Sequence, residues 1–208
     1  MTVARRARGP AVRRLGVFGG TFDPPHVGHL ALAEWARTQL RLDRMLFVPA
    51  GTPPHKAAAR ASTAHRVAMT RAAVRGNPAF AVSTIEARRS GPSYTADTLA
   101  AIAKAHPGAE LFLLMGADMY ATFDSWVRPA EIAALATLAV ALRPGAKRAR
   151  TSRFAQRGKG VRSLANPGLE VSSSAVRELA RRGVSLRYLV PDAVARYVAA
   201  HRLYGKRR

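Results

Sequence analysis

Residues 19–30 read Gly-Gly-Thr-Phe-Asp-Pro-Pro-His-Val-Gly-His-Leu and directly follow a short apolar run, Leu15 to Phe18. An apolar run that ends in two glycines is typical of a buried strand whose chain then turns sharply or lets a ligand come close. Apolar residues recur at helical spacing from Val27 onward, which predicts a helix that begins near Gly28. Strand, glycine turn and helix start together form an anion site, because the first N–H groups of a helix lack partners and its dipole is positive there.

Two histidines lie at this predicted helix start. His26 and His29 are three residues apart and fall on one side of the helix end. Imidazole N–H groups can bind phosphate oxygens without a permanent charge, so we predict a phosphate site that includes both. From these residues alone, a plain turn with capping histidines is the alternative. A zinc site is disfavoured because no clear third ligand is nearby and the chain has no cysteine.

Length and composition indicate one ordinary domain. The 208 residues can bury a substantial core, and the lack of cysteine excludes disulfides and fits a reducing compartment. No apolar run approaches the roughly 18 residues of a membrane span, and no signal-peptide pattern follows the basic start. We therefore expect a cytoplasmic protein without a membrane partner; the sequence leaves its oligomeric state open.

The formal net charge of +22 raises the possibility of nucleic-acid binding. Much of this charge lies near the two chain ends and in one loop-like stretch rather than on one face. We predict a disordered basic tail at residues 1–12, a folded domain at 13–204 with a mobile basic loop at 146–167, and a basic tail at 205–208. This distribution argues against nucleic acid as the main partner and favours phosphorylated substrates.

Strand-like and helix-like segments alternate along the whole domain. The predicted strands are Leu15–Phe18, Met45–Val48, Phe80–Ile85, Leu111–Met115, Thr137–Leu142 and Leu169–Val171. Six helices are predicted. The first begins near Gly28, the second spans Ser62–Arg75, the third ends at about Ala105, and the fourth includes Ile132–Leu135. The fifth follows Ser172–Ser174 and the last spans Pro191–His201. The alternation predicts a single α/β domain with a parallel sheet flanked by helices. A P-loop ATPase and a dinucleotide dehydrogenase are disfavoured, since neither glycine fingerprint is present.

Further candidate site residues follow the predicted strands. A Pro-Pro pair holds His55 and Lys56 near the strand ends, although an exposed turn fits equally well. Asp118 follows a central strand, where it could accept bonds from ribose hydroxyls or cap the next helix. Trp126 is either a core residue or a wall on which a planar ring stacks.

A second anion site is predicted at the start of the late helix. Ser173 and Ser174 supply hydroxyls beside its unpaired N–H groups, and Arg177, one turn on, can reach the same place with a bidentate fork. Read alone, this pattern is more typical of an ordinary helix cap with a surface arginine.

The stretch Gly19 to Leu30, with its His26-Val27-Gly28-His29, resembles the nucleotidyltransferase signature, which small adenylyltransferases share. The span from Leu15 to Tyr204 resembles bacterial nicotinate mononucleotide adenylyltransferases over several separated motifs in the family order. Besides the first, these are Val48–Lys56, Gly91–Leu99, Gly116–Trp126, Arg143–Gly145, Val171–Arg177, Tyr188–Pro191 and His201–Tyr204.

The resemblance implies a Rossmann-like nucleotidyltransferase fold and transfer of the adenylyl group of ATP to nicotinate mononucleotide, giving deamido-NAD and pyrophosphate. It also implies where the two substrates bind. The residues expected to contact ATP are Gly19, Gly20, Thr21 and Phe22 in the signature turn, His26 and His29 at the phosphates, Gly116 and Asp118 at the ribose, Arg143 beside the adenine, and Ser173, Ser174 and Arg177 at the triphosphate end. The remaining groups are His55 and Lys56 at phosphates, and Thr95 and Trp126 at the nicotinate ring, whose carboxylate is bound by backbone N–H groups. Mg²⁺ is expected to come with ATP and water, without a protein ligand.

Two departures from the family pattern concern the site. Ser173-Ser174 stands where Ser-Thr is usual, and Val127 follows Trp126 where an aromatic residue is frequent. The second departure bears on the choice of acceptor, so nicotinamide mononucleotide and other phosphorylated acceptors, including phosphopantetheine, stay open as alternatives. A basic nucleic-acid-binding protein is the remote third.

Overall fold

The computed structural model describes residues 12–51, 59–142, 152–165 and 168–205. Within these ranges there are six strands: β1 Arg14–Gly20, β2 Arg44–Pro49, β3 Phe80–Val82, β4 Glu110–Gly116, β5 Ala136–Ala141 and β6 Val161–Leu164. The helices of the same ranges are α1 Val27–Gln39, α2 Thr63–Val74, α3 Thr95–Ala105, α4 Ala117–Ala121, α5 Pro129–Leu135, α6 Arg153–Arg157, α7 Ser173–Arg181 and α8 Asp192–Ala200, with a 3-10 turn at Phe123–Ser125.

The strands form one parallel sheet in the order β3-β2-β1-β4-β5-β6. The order reverses between β1 and β4, and in such sheets ligands bind in the crevice outside the carboxyl ends of the strands at this switch point. The predicted α/β fold with a parallel sheet flanked by helices is confirmed. The two glycines that end β1 and the glycine that ends β4 lie at this edge.

The sheet is covered on both faces, which explains why its central strands read as continuous apolar runs. Along β4, Leu111, Leu113 and Met115 pack on the side of α3 and α5, while Phe112 and Leu114 pack on the side of α1. A third apolar cluster joins α2, α7 and α8 beside the sheet. This third cluster places the start of α7 opposite the carboxyl end of β1.

The structure differs from the predicted loop at 146–167. Residues 153–157 form α6 and residues 161–164 form β6, which pairs in parallel with β5; residues 146–151 and 166–167 lie outside the described ranges. Neither element has a clear hydrophobic pattern in the sequence. The helix α6 is little more than one turn long and fully buries Ala155 alone, and the strand β6 fully buries Leu164 alone.

Three predicted boundaries also change. The strand predicted at Leu169–Val171 is wrong, because the Val171 N–H donates to the Leu169 carbonyl at 3.0 Å, a tight local turn instead of a ladder. The strand predicted to reach Ile85 ends at Val82. Val12, assigned to the N-terminal tail, packs against the core; most of that tail lies outside the described residues.

No helix in the described part of the chain is long and apolar enough to cross a bilayer.

Candidate active site

The turn after β1 is built around the ring of Phe22. Phe22 has a positive φ of 50° and is 1% exposed, so its ring folds back beneath the turn. A Cβ on Gly20 would come within 2.9 Å of that ring, which is why the turn requires glycine there. The backbone of the glycine turn is thereby exposed to the crevice instead of being covered by side chains.

His26 and His29 come together at the start of α1, as the sequence predicted. Their ring centroids are 3.7 Å apart, and the backbone N–H of His26 donates to Nδ1 of His29 at 3.2 Å. Because Nδ1 of His29 accepts this bond, the neutral ring carries its proton on Nε2. His29 also lines a cavity at the end of β1.

His26 is the buried member of the pair. It is 6% exposed, and burial lowers the pKa of its imidazole to about 4, so the ring is neutral near pH 7. Gly28 makes room for it, since a Cβ there would lie 3.1 Å from Nδ1 of His26. The spacing His-X-Gly-His therefore has a packing reason: the glycine lets the first ring lie against the helix start.

The start of α7 forms the opposite wall. Ser172 caps the helix, because its Oγ accepts the Ala175 N–H at 3.1 Å. The Ser173 hydroxyl donates to the Pro24 carbonyl at 2.9 Å, and Nη1 of Arg177 donates to the Asp23 carbonyl at 2.8 Å. These two bonds attach α7 to the signature turn across 149 and 154 residues of sequence.

Asp23 is a structural residue of this turn that the sequence analysis missed. It is 3% exposed, and its carboxylate accepts the Arg60 N–H at 2.7 Å, the Ala61 N–H at 3.2 Å and the Tyr204 hydroxyl at 2.6 Å. Arg66, also missed, is 2% exposed and donates to the Thr21 carbonyl at 2.9 Å. The position of Asp23 within the quoted signature was the one available signal; nothing in the sequence points to its partners.

Two adjoining cavities open along the carboxyl edge of the sheet. One has a volume of about 580 Å³ and the other about 780 Å³. They share the walls Phe18, Gly19, Gly20, Thr21 and Gly116. A Cβ on Gly19 or Gly116 would meet no atom of the other described residues within 4 Å, so among these residues nothing fills the space above the two glycines. The shared glycine edge is the place where groups bound in the two cavities would meet.

The larger cavity is lined by three of the residues predicted to bind phosphates, whereas His26, buried behind His29, lines neither cavity. The lining of the larger cavity includes His29, Ser173 and Arg177 together with Phe22 and Arg60. Imidazole, hydroxyl and guanidinium donors on one cavity suit a polyanion.

The smaller cavity is more apolar, and its lining includes Thr95 and Trp126. Thr95 is the first residue of α3, whose opening N–H groups have no helical partner and can bind a carboxylate. Trp126 is half-buried, packs on the core near Phe123 and also lines the cavity; stacking of a planar ring on it stays a prediction. The backbone N–H of Trp126 donates to the Phe123 carbonyl at 3.0 Å and is therefore already used within the protein.

One acidic residue that the sequence analysis missed lines the smaller cavity. Glu86 accepts the Thr98 hydroxyl at 2.8 Å, and burial raises the pKa of its carboxyl above the ordinary value.

The other predicted site residues take different places. Asp118 lies exposed in the first turn of α4, and Ser174 is exposed and accepts a bond from Nη2 of Arg177 at 3.0 Å. Neither is among the residues that line the two cavities. His55, Lys56 and Arg143 lie outside the described residues. Within the described ranges, no group of three or more His, Asp or Glu side chains could hold a metal ion.

The sequence profile of the cytidylyltransferase-like family matches residues 17–179. A protein of Thermomicrobium roseum named "Probable nicotinate-nucleotide adenylyltransferase" is 44% identical over 195 residues, covering 92% of this chain and 91% of the relative. The protein of the same name from Salinibacter ruber is 44% identical over 192 residues, covering 91% and 97%. Among solved structures, Plasmodium falciparum nicotinic acid mononucleotide adenylyltransferase complexed with NaAD has the same fold, with a TM-score of 0.74 at 16% identity over 92% of this chain and 97% of that one.

Proposed function

The chain belongs to the cytidylyltransferase-like family and, within it, to the nicotinate-nucleotide adenylyltransferases, and we propose that its two adjoining cavities bind ATP and nicotinate mononucleotide for adenylyl transfer. The enzyme converts these two substrates into deamido-NAD and pyrophosphate in NAD biosynthesis. The observation that carries the site assignment is the glycine edge of β1 and β4, which walls both cavities at once.

The reaction needs positioning and charge stabilisation more than it needs acid–base catalysis. A phosphate oxygen of the acceptor attacks the α-phosphorus of ATP, and the bond from that phosphorus to the bridging oxygen of the β-phosphate breaks. The nucleophile is already anionic, so no general base is required, and pyrophosphate leaves with the bond's electrons. The protein must hold two polyanions in line and stabilise the charge that moves onto the phosphoryl oxygens.

The larger cavity suits the triphosphate. In this assignment Nε2–H of His29 donates to the phosphoryl group that is transferred, and neutral His26 supports the adjacent helix start. Arg177 and Ser173 contact the departing end from α7, where a bidentate guanidinium can bind two phosphate oxygens. The backbone of Gly19 and Gly20 lies alongside the chain of phosphates.

The smaller cavity suits the nicotinate nucleotide. Trp126 offers a face for the pyridine ring, and the opening N–H groups of α3 at Thr95 suit a carboxylate. An N–H donor discriminates between acid and amide, because the carboxylate only accepts while the amide also presents an N–H group of its own. This preference for nicotinate over nicotinamide mononucleotide is part of the proposal, with use of both as the alternative.

Mg²⁺ enters this proposal with ATP. The described residues offer donors to phosphate, namely imidazole, hydroxyl and guanidinium groups, and no clustered carboxylates for a cation. A hard cation that keeps most of its water is well held by the phosphates themselves, where it neutralises part of their charge. His55, Lys56, Asp118, Arg143 and Ser174 keep their proposed roles around the two nucleotides.

Pyrophosphate release by the purified protein tests the activity. The assay is run with Mg-ATP and, in parallel, nicotinate mononucleotide, nicotinamide mononucleotide and no acceptor. We expect release with the nicotinate acceptor to exceed the others by at least about tenfold, the discrimination of one unsatisfied buried polar group. Equal rates with the first two acceptors would replace the preference with dual specificity, and no release with any acceptor would refute the activity.

The role of His29 is tested separately. His29→Ala should lower kcat by about 100-fold or more with the fold intact, the usual cost of losing a positioned charge stabiliser. His65→Ala is a matched control, because this helical histidine pairs with Tyr197 and lines neither cavity. Near-full turnover of His29→Ala would remove His29 from the mechanism.

A further inference from the structure

Tyr204 makes the longest-range polar contact of the signature turn. Its hydroxyl donates to Oδ1 of Asp23 at 2.6 Å across 181 residues of sequence. The turn that follows α8 places it there: the Leu203 N–H returns to the Val198 carbonyl at 3.0 Å, and Tyr204 adopts a positive φ of 65°. A bulky residue with positive φ is unfavourable by itself and persists where its surroundings fix it. The chain end after α8 is therefore closed onto the turn by a specific contact.

Asp23 connects this contact to the larger cavity. Its carboxylate holds Tyr204 and two backbone N–H groups, while its carbonyl accepts Nη1 of Arg177 at 2.8 Å. The next carbonyl, that of Pro24, accepts the hydroxyl of Ser173 at 2.9 Å. The orientation of two consecutive carbonyls thus determines where the phosphate-binding groups of α7 point, and the Asp23 side chain holds the first of them.

We propose that Tyr204 is a positioning residue for the triphosphate: through Asp23 it fixes the carbonyl that orients Arg177. The inference rests on the proposed function, since it assigns Arg177 to the phosphates of ATP. Tyr204 lines neither cavity, so it acts without touching the substrate.

The hydroxyl, not the ring, is the group that matters in this role. Burial and the neighbouring carboxylate raise the pKa of Tyr204 far above its ordinary value, so it stays a donor at every working pH. Without that donor, the hydrogen bond that Oδ1 of Asp23 keeps within the described part of the chain is the one from the Ala61 N–H at 3.2 Å. The carboxylate is then held by two backbone N–H groups, that of Ala61 and that of Arg60 at 2.7 Å on Oδ2, without the bond from Tyr204, and the Asp23 carbonyl is held less firmly in its direction toward Arg177.

A purely structural role is the competing account. The ring of Tyr204 packs in the third apolar cluster with residues of α2 and α8, so its loss could loosen the fold without any special effect on ATP. The two accounts differ in what the hydroxyl alone does. If the hydroxyl only stabilises the fold, its removal lowers the unfolding temperature and leaves the affinities for both substrates unchanged.

The test is Tyr204→Phe, which removes the hydroxyl and keeps the ring. Tyr197→Phe is the matched control, because Tyr197 lies on α8 and packs in the same cluster. This variant also loses one hydrogen bond, the one of 3.0 Å between the Tyr197 hydroxyl and Nδ1 of His65. Affinity for Mg-ATP is measured by calorimetry and KM for both substrates by pyrophosphate release. We expect Tyr204→Phe to weaken Mg-ATP binding by about tenfold, the scale of one hydrogen bond to a charged group, with KM for nicotinate mononucleotide unchanged. Tyr197→Phe should change neither.

The route through Arg177 is tested by the double variant. If Tyr204 acts through Arg177, Tyr204→Phe has little further effect on Mg-ATP affinity once Arg177→Gln is present. Independent, multiplicative losses would overturn the proposal, as would a lowered unfolding temperature with unchanged Mg-ATP affinity. Unchanged affinity in Arg177→Gln alone would overturn it at its premise. Because calorimetry needs no turnover, these failures are distinct from an absence of acceptor-dependent pyrophosphate release, which would refute the activity.

Discussion

His26 is a buried imidazole beside the proposed phosphate site, and its surroundings fix its charge. It is 6% exposed, and burial holds its pKa at about 4. A neutral ring there can donate one hydrogen bond and pack closely against His29, with ring centroids 3.7 Å apart. A protonated ring so close to its neighbour would have to be buried with its charge, which costs far more than a neutral donor. In the proposed site, positive charge therefore comes from Arg60, Arg177 and the helix dipoles and not from His26.

This burial predicts a pH dependence of folding stability. The pKa of His26 is about 4 when folded and about 6.5 when unfolded, so below pH 6.5 the unfolded state binds a proton that the folded state does not. The contribution of His26 is complete above pH 6.5 and is lost as the pH falls toward 4, by up to about 3 kcal/mol. His26→Gln should abolish this component. Urea unfolding at pH 7.5 and pH 4.5 measures it, and an equal loss of stability in both proteins would contradict the burial of a neutral ring.

Substitution of Gly116 is expected to lower activity without lowering the stability of the fold. Gly116 ends β4 with ordinary extended dihedrals, φ −76° and ψ 160°, and a Cβ there would meet no atom within 4 Å in the described part of the chain. Gly116→Val should therefore change the free energy of unfolding by no more than about 0.5 kcal/mol. Its side chain would occupy the space shared by both cavities, so kcat/KM should fall by about 100-fold or more. Gly116→Ala should give a smaller loss, and full activity of the valine variant would place the reacting groups elsewhere.

At the scale of the elements, the packing of the segment α6–β6 can be tested by substitution in the turn between them. The turn between them packs on α5, where the Lys159 N–H donates to the Ala133 carbonyl at 2.9 Å. A Cβ on Gly158 would lie 2.3 Å from that carbonyl oxygen, so the turn cannot accept one without moving. Gly158→Ala should lower the free energy of unfolding by about 1–3 kcal/mol, the cost of overpacking. Gly76→Ala, which meets no atom within 4 Å, is the control. Equal stability of the two variants would mean that this segment is the loop expected from sequence.

The elements that the sequence predicted well are those with a strong period and clear ends. β1, β2, β4 and β5 are buried on both faces and read as unbroken apolar runs. The three-residue β3 and the edge strand β6 bury few side chains completely and carry too weak a pattern to be bounded or recognised. Pattern strength follows burial, so the edges of the sheet are where sequence reasoning failed.

In the molecule as a whole, local motifs could be predicted and long-range pairings could not. Gly19, Gly20, His26 and His29 belong to one continuous stretch whose spacing states its own geometry. The bond from Tyr204 to Asp23 joins the two ends of the folded chain, and no periodicity or spacing encodes it. Its formation depends on how α8 packs against α2, which is a property of the finished fold.

The net charge of +22 carries the last prediction. Every described residue that lines the two cavities lies at or after Val17, so a deletion of residues 1–11, which keeps the packed Val12, should leave kcat and both KM values unchanged within about twofold. The deletion removes three arginines, so affinity for a random single-stranded RNA should fall and its dependence on salt should become shallower. Turnover and RNA affinity across a salt series measure the two effects. RNA binding that is unaffected by the deletion but displaced by Mg-ATP would instead place the polyanion in the larger cavity, on the groups that we assign to the triphosphate.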